Sequence, residues 1–491
     1  MFESEFLTSS DDSRRAYNRV LTQAADIVTE AFPSQPYSGK KPIDLASLFG
    51  SEFLSQQSSW EKLAETMRMV IANSVSVSHP RTAAHLHCPP LVSALAAEVV
   101  ISALNQSMDS FDQAPIASIV EQKLIRWLCS ESGLPKTADG TFTTGGSQSN
   151  YMGLLLARDA ALQKHWDWSA QRAGLPPEAR RLRILCSEVA HFTVEKSAAQ
   201  LGLGTDSVVR VPVDDNFRLR PESLQAALEN LKTNAFVPMG VVATAGTTDF
   251  GSVDPLAEIA ALSRHSDTWL HVDAAYGGAL LFSGKHRAKI AGIEKADSVT
   301  IDFHKLFWQP IPCSVFLVRD AILFDPIKFH ADYLNPELHE EKGIPNLVTT
   351  SLQTSRRFDA FKLWLSLQSM GRKKLAGMID HTIALASEAA NVIRRSADFQ
   401  LMCDPQLSTV VFRYVPSTGA HAERVNAEIR QTLFDRGQAV IGHTRVRGHQ
   451  CLKFTCMNPT ATDADMKNLI EMIRKCGDKI VGKMADATTS K

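Results

Sequence analysis

Apolar residues recur in two rhythms along this chain. Between Leu91 and about Phe324, stretches such as 119–129 and 150–163 carry the 3.6-residue period of amphipathic helices. Between them lie short apolar runs at 184–187, 208–213, 239–244, 269–273, 298–301 and 314–318, rich in Val and Ile. Short apolar strands alternating with helices predict an α/β fold with a mostly parallel sheet covered on both faces, since a strand buried on both sides has no polar face to alternate. In such sheets ligands bind beyond the carboxyl ends of the strands, so chemistry is sought just after each run. Residues 1–90 read as a polar helical arm ending in the turn-rich HPRTAAHLHCPP. After Asp325 comes KFHADYLNPELHEEKGIPNLVTT, which has no clear period; loops of that length are functional lids or disordered. A helix around 358–370 and strand-like runs at 409–414 and 452–456 then predict a small C-terminal α/β domain. The expected division is 1–90, 91–350 and 351–491.

Composition narrows the function classes. With 44% hydrophobic residues over 491 positions, a mainly disordered chain is excluded. The 52 Lys and Arg against 53 Asp and Glu leave a net charge of -1, without the basic surplus of a nucleic-acid binder. The most apolar stretch, 91–104, is interrupted by Glu98 and serines and is too short for a membrane span. The opening MFESEFLTSSDDSRR is acidic where a secretory signal would be basic. The 8 cysteines are scattered without a CxxC pair. A cytoplasmic protein with reduced thiols is expected.

Four features after the strands point to one chemistry. TTGGSQSN (143–150) opens a helix whose amino end, with Gly146 and Ser147, could cradle a phosphate, although a plain turn and cap explains such a motif about as often. WLHVDAAYGG ends an apolar strand in the carboxylate of Asp273, which there wants a cation or several donors. SVTIDFHKLF places Lys305 just past the next strand, where a buried amine shifts toward its nucleophilic form; the two could equally be a structural ion pair. CSEVAHFTVEKSA puts His191 after its strand, and a lone histidine is more often packing than catalysis. Their order, however, matches what pyridoxal phosphate needs: an anion site, a ring-stacking face, a carboxylate for the pyridine nitrogen and an amine for the aldehyde.

HVDAAYGG, DFHK, GGSQSN and His191 resemble the group II pyridoxal-phosphate decarboxylases, over most of the chain from about His79 onward. HLHCP, NQSMDSFDQ, ATAGTTDFGSVDPL, ADYLNP, IPNLV, SLQTSRRFDAFKLW and LKFTCMNP look closer to the diamino acid branch, which includes diaminobutyrate decarboxylases and siderophore-pathway lysine decarboxylases. The resemblance implies a fold-type I, aspartate aminotransferase-like architecture and a homodimer with its active site near the subunit interface. It implies Lys305 as the amine holding the cofactor, His304 beside it, Asp273 at the pyridine nitrogen and His191 on the ring. Gly146, Ser147 and Thr248 would hold the phosphate side. Asp302 stands where some relatives carry Asn. Tyr333 would be the loop tyrosine that protonates the carbanion, and His85, His87 and Cys88 would line the substrate pocket. Lys453 replaces an Arg of glutamate and aromatic decarboxylases; lacking the bidentate fork, it would hold a carboxylate differently. Asp112, Asp332 or Glu337 are candidates for a second ammonium.

The expected reaction is decarboxylation of a basic diamino acid, lysine leading, with diaminobutyrate or ornithine as the alternative, possible service in siderophore synthesis, and a glutamate or aromatic substrate or aminotransfer behind. A metal site at His79, His85, His87 and Cys88 lacks the usual zinc spacing, and a non-catalytic scaffold is at odds with intact Lys305, Asp273 and His191. No nucleic-acid or membrane partner is expected.

Overall fold

The computed structural model describes residues 5–49, 58–416 and 421–489. The chain divides into two compact units: one comprises Met1–His85, Glu388–Met402 and Val411–Lys491, the other Leu86–Ser387 and Cys403–Val410. The N-terminal arm thus groups with C-terminal segments instead of standing as a separate consecutive piece.

Strand β1 (Thr82–Ala83) belongs to the first unit. The next seven strands form the sheet of the second: β2 (Asp139–Thr143), β3 (Leu182–Ser187), β4 (Val208–Val211), β5 (Val237–Thr244), β6 (Trp269–Asp273), β7 (Ser298–Asp302) and β8 (Ser314–Val318). Their order is β2-β8-β7-β6-β5-β3-β4. Neighbours from β7 to β4 pair in parallel, whereas β8 is antiparallel to both β7 and β2. The mostly parallel sheet follows the expectation from the apolar runs. Strand β2 did not stand out because DGTFT has only one large apolar residue. It is nonetheless buried, and its Gly140 is needed: a Cβ there would lie 2.5 Å from the Phe316 carbonyl oxygen of β8.

The helix Gly146–Trp166 buries Met152, Leu154, Leu155, Leu156, Ala157, Ala161 and Leu162 in a core with Ile184 and Cys186 of β3, Val242 of β5 and Phe316 and Val318 of β8. The helix expected over 150–163 is present, but burial on nearly every side makes it less amphipathic than expected. The register aligns Thr244 with Asp273 and Asp273 with Thr300. Asp273 and Asp302, each closing its strand, therefore reach one edge of the sheet. The helix Pro115–Glu131 is tied in by Glu121, whose carboxylate takes two bonds from the Arg356 guanidinium (2.8 and 2.7 Å) and one from the Phe142 amide of β2 (3.3 Å). The aperiodic segment after Asp325 holds short pieces, a helix at Glu337–Glu341 and a 3-10 turn at Leu347–Thr350. The helix expected around 358–370 is the first part of Ala360–Arg394, which breaks at Gly371 (φ 67°).

The first unit carries a five-stranded sheet in the order β1-β11-β12-β10-β9, with β9 (Phe399–Leu401), β10 (Thr409–Tyr414), β11 (Val440–Val446) and β12 (His449–Thr455). Its helices include Asp11–Glu30, Trp60–Ala72, Ala422–Asp435 and Asp463–Thr489. Lys453, 6% exposed, stands opposite Gly442 on β11, where a Cβ would crowd the Lys453 Cε at 3.2 Å.

Candidate active site

The carboxyl ends of β5, β6 and β7 open onto a cavity of about 450 Å³ within the second unit. Asp273 lies in its wall, buried, with both oxygens engaged: the Asn150 amide nitrogen donates to Oδ2 at 2.8 Å and the Ala275 backbone N–H to Oδ1 at 3.1 Å. Asn150 comes from the first turns of the helix Gly146–Trp166, so the helix that opens on the glycines also orients the carboxylate. Its second amide proton goes to the Thr193 hydroxyl at 3.1 Å, which in turn lies 3.0 Å from Nδ1 of His191. Burial holds the His191 imidazole below its usual pKa, Asp273 opposes that shift and Lys305 adds to it. A neutral, flat imidazole at the cavity wall is suited to lie against an aromatic ring.

Lys305 follows β7 by three residues, and its Nζ pairs with Oδ2 of Asp302 at 3.0 Å. The other oxygen of Asp302 accepts from the Ser314 hydroxyl of β8 at 2.6 Å. Gly146 packs against this carboxylate, since a Cβ there would stand 3.0 and 3.1 Å from its oxygens. Asp302 is thus the counter-charge of the lysine at the amino end of the helix, where a negative charge is favoured. His304 donates from Nδ1 to the Cys313 carbonyl at 2.9 Å, and burial pushes its pKa down against the pull of Asp302.

Whether pyridoxal phosphate fits can be judged from these donors. Gln148 and Ser149 donate to the Gly145 carbonyl as the helix begins, so the amides of Gly146 and Ser147 precede its first internal bond. Gly145 (φ 145°) has open space where a Cβ would be. These amides, the Lys305 amine, the Asp273 carboxylate and the His191 ring line one cavity, together with Thr248, Asp302 and His304. An anion site, an amine, a carboxylate and a stacking face are the set the cofactor requires, and the cavity lies in the size range of small-molecule pockets. The residues fit the group.

Other expected residues lie outside this lining. Cys88 donates its thiol to the His304 carbonyl at 3.2 Å, its pKa pushed up to about 12 by burial. The His87 pKa is lowered by burial and then by His304, so these two adjoin the cavity through that residue. Tyr333 is not brought in: the residue is 89% exposed in the segment that follows Phe324. Asp112 is also away from the cavity lining, accepting from the Ser110 hydroxyl, and Asp332 and Glu337 lie in the segment that carries Tyr333. His85 and Lys453 belong to the first unit. Sequence reasoning missed Asn150, which ties Asp273 to Thr193; the sole signal was its place closing GGSQSN.

Comparison with known proteins agrees with this geometry. Residues 42–415 match the model of the pyridoxal-dependent decarboxylase conserved domain. The chain is 42% identical over 434 residues to an L-2,4-diaminobutyrate decarboxylase of Acinetobacter baumannii, covering 87% of this chain and 85% of that one. It is 40% identical to another of that name from Rhizobium meliloti (strain 1021), over 96% and 93% of the two chains. Among solved structures, the glutamate decarboxylase domain of a diaminobutyrate-pyruvate transaminase and L-2,4-diaminobutyrate decarboxylase from Vibrio parahaemolyticus superposes with a TM-score of 0.90 at 38% identity, over 97% and 99%. The lysine preference and siderophore role expected from ADYLNP and LKFTCMNP find no support in these relatives, which favour the diaminobutyrate alternative.

Proposed function

We propose that this chain, which belongs to the pyridoxal-dependent decarboxylases and so removes a carboxyl group from an amino acid with pyridoxal phosphate, acts on L-2,4-diaminobutyrate. The support for that substrate is the 40 to 42% identity to two bacterial enzymes of that name along nearly the whole chain. The support for the chemistry is the meeting of Lys305, Asp273 and His191 at one cavity.

When bound, the cofactor supplies an electron-withdrawing pyridine that takes up the electron pair left as carbon dioxide departs. In this reading Lys305 holds the cofactor aldehyde, and its ammonium is kept nearby by Asp302 until then. Asp273, already oriented by Asn150 and the Ala275 amide, would hold the ring nitrogen; in a dry wall such a contact would be worth far more than the ~1 kcal/mol of a similar pair in water. His191 covers one ring face. Gly146, Ser147 and Thr248 take the phosphate, with His304 at its flank. Tyr333 brings a proton to the substrate α-carbon when its segment closes and excludes water. His87 and Cys88 border the substrate.

The working form is a homodimer with its active site near the interface. The helix Val92–Leu104 is apolar around most of its circumference and leaves Val92 82% and Leu104 59% exposed, a surface suited to a second copy. Among the described residues no helix is long and apolar enough to cross a membrane. The test is a competition of diaminobutyrate, lysine, ornithine and glutamate with product amines read by mass. Diaminopropane should dominate; preference for lysine or glutamate would overturn the substrate assignment.

A further inference from the structure

Behind Asp273 runs a chain of buried side chains that the reaction, as described, leaves unexplained. Trp269 and His271 precede Asp273 on β6, and Ser298 opens β7 directly opposite His271. His271 is fully buried between Ser298 Oγ, 2.8 Å from its Nδ1, and Asn150 Oδ1, 3.0 Å from its Nε2. The Trp269 indole N–H reaches the same Ser298 Oγ at 2.9 Å.

Donor and acceptor rules give this chain a single direction from both ends. An ionised carboxylate only accepts, so Asn150 turns its NH₂ toward Asp273 and its carbonyl toward His271. That carbonyl needs a donor, so His271 carries its proton on Nε2; the Thr300 hydroxyl, 3.4 Å away, shares it. Nδ1 is then a bare acceptor and takes the Ser298 hydroxyl proton. At the far end, the indole can only donate, so Ser298 accepts from Trp269 and has its own proton free for His271. The deduction from the Asp273 carboxylate and the deduction from the Trp269 indole meet at His271 without conflict.

The same orientation continues to the other cofactor-facing group. The second amide proton of Asn150 goes to Thr193 Oγ1, which passes its own proton to His191 Nδ1; the Thr193 backbone N–H also points to that nitrogen, at 3.3 Å. His191 is left with its proton on Nε2. A separate observation shows that the place of His271 is reserved: a Cβ on Gly153 would lie 2.5 Å from its Nδ1. Glycine in a helix interior is unfavourable by about 1 kcal/mol relative to alanine, and here it makes room for the imidazole.

We infer that His271, held by Ser298 over Gly153, is a positioning residue that sets the donor–acceptor orientation of both Asp273 and His191 through the single side chain of Asn150. The inference deepens the proposed function, because it rests on Asp273 meeting the pyridine nitrogen. Burial pushes the His271 pKa down to about 4, against the pull of Asp273, so the ring is neutral at working pH and can donate at one nitrogen while accepting at the other.

The test uses the full chain with His271→Phe, His271→Gln, Ser298→Ala and, as reference, Asp273→Asn. Glutamine can place an amide N–H near the Nε2 position and so can still donate to Asn150; phenylalanine cannot. Titration of the cofactor-free proteins with pyridoxal phosphate should show binding weakened about tenfold or more in His271→Phe and Asp273→Asn, and largely restored in His271→Gln. Nitrogen-15 spectra of histidine-labelled, cofactor-free protein should show both His271 and His191 protonated on Nε2. Ser298→Ala, which removes only the partner of Nδ1, should loosen the ring while His271 stays protonated on Nε2 toward the Asn150 carbonyl. Wild-type cofactor affinity in His271→Phe alongside weakened Asp273→Asn would overturn this inference alone. Unweakened binding in Asp273→Asn would overturn the reading beneath it too. A His271 protonated on Nδ1 in the wild type would overturn the inference in the absence of any cofactor, and remains readable if His271→Phe fails to fold.

Discussion

Removing the amine of Lys305 should cost stability as well as activity. Its Nζ lies 3.0 Å from Oδ2 of Asp302, a side chain only 3% exposed, while the lysine side chain is 17% exposed. At an effective dielectric constant near 20, two unit charges at that separation attract by about 5 kcal/mol. Deleting one partner of a buried pair typically costs ~3–5 kcal/mol, because the survivor is left charged and desolvated. Asp302 would keep the 2.6 Å bond from Ser314, which places the expected loss for Lys305→Ala near the lower end, about 3 kcal/mol. Asp302→Asn in the same background removes the stranded charge and should recover about 2 kcal/mol of that loss. The assay is urea unfolding of the four cofactor-free proteins of this double-mutant cycle, so that ligand binding does not enter the comparison. Additive single-variant effects, or a Lys305→Ala protein as stable as the parent, would refute the claim that Asp302 is the resting partner of the lysine.

Tyr333→Phe should slow amine formation or divert product to the aldehyde while leaving cofactor affinity unchanged; an unaltered product and rate would dismiss the tyrosine as proton donor. Arg356→Met strands the fully buried Glu121 carboxylate and should destabilise the fold by about 3–5 kcal/mol by urea unfolding; a loss under about 1 kcal/mol would show that the pair is not desolvated as its burial implies. Two buried groups should oppose one another in the pH dependence of stability. His271, lowered from 6.5 to about 4, stabilises fully above pH 6.5 and loses that stability as pH falls toward 4, since the unfolded chain gains a proton the native ring refuses; the loss is about 3 kcal/mol. Asp254, raised from 3.8 to about 6 by burial, contributes the reverse, stability present below 3.8 and lost as pH rises through 6, again about 3 kcal/mol. In His271→Gln only the Asp254 slope remains, so stability should fall more steeply between pH 4 and 6 than in the parent; equal slopes would contradict the buried, neutral imidazole.

The apolar runs at 269–273 and 314–318 are strands with those very bounds, because a strand buried on both faces must be apolar throughout. The positions of Asp273 at the end of one strand and Lys305 just past the next were legible for the same reason. Strand β2 was not, since its burial is imposed by antiparallel pairing with β8, a partner some 175 residues away that no local pattern encodes. The arm at 1–90 reads as helical, yet the grouping of 1–85 with 388–402 and 411–491 depends on contacts that only folding creates.

The sequence alone determined which groups the chain owns: a helix opening on glycines, an acid closing one buried strand, an amine just past the next, and motifs that resemble one family. Tertiary structure decided how those groups are wired. Asp302 became the partner of Lys305, Asn150 the link between Asp273 and His191, and His271 the prop behind it, because hydrogen bonds act over about 3 Å of space and are indifferent to the length of chain between their ends.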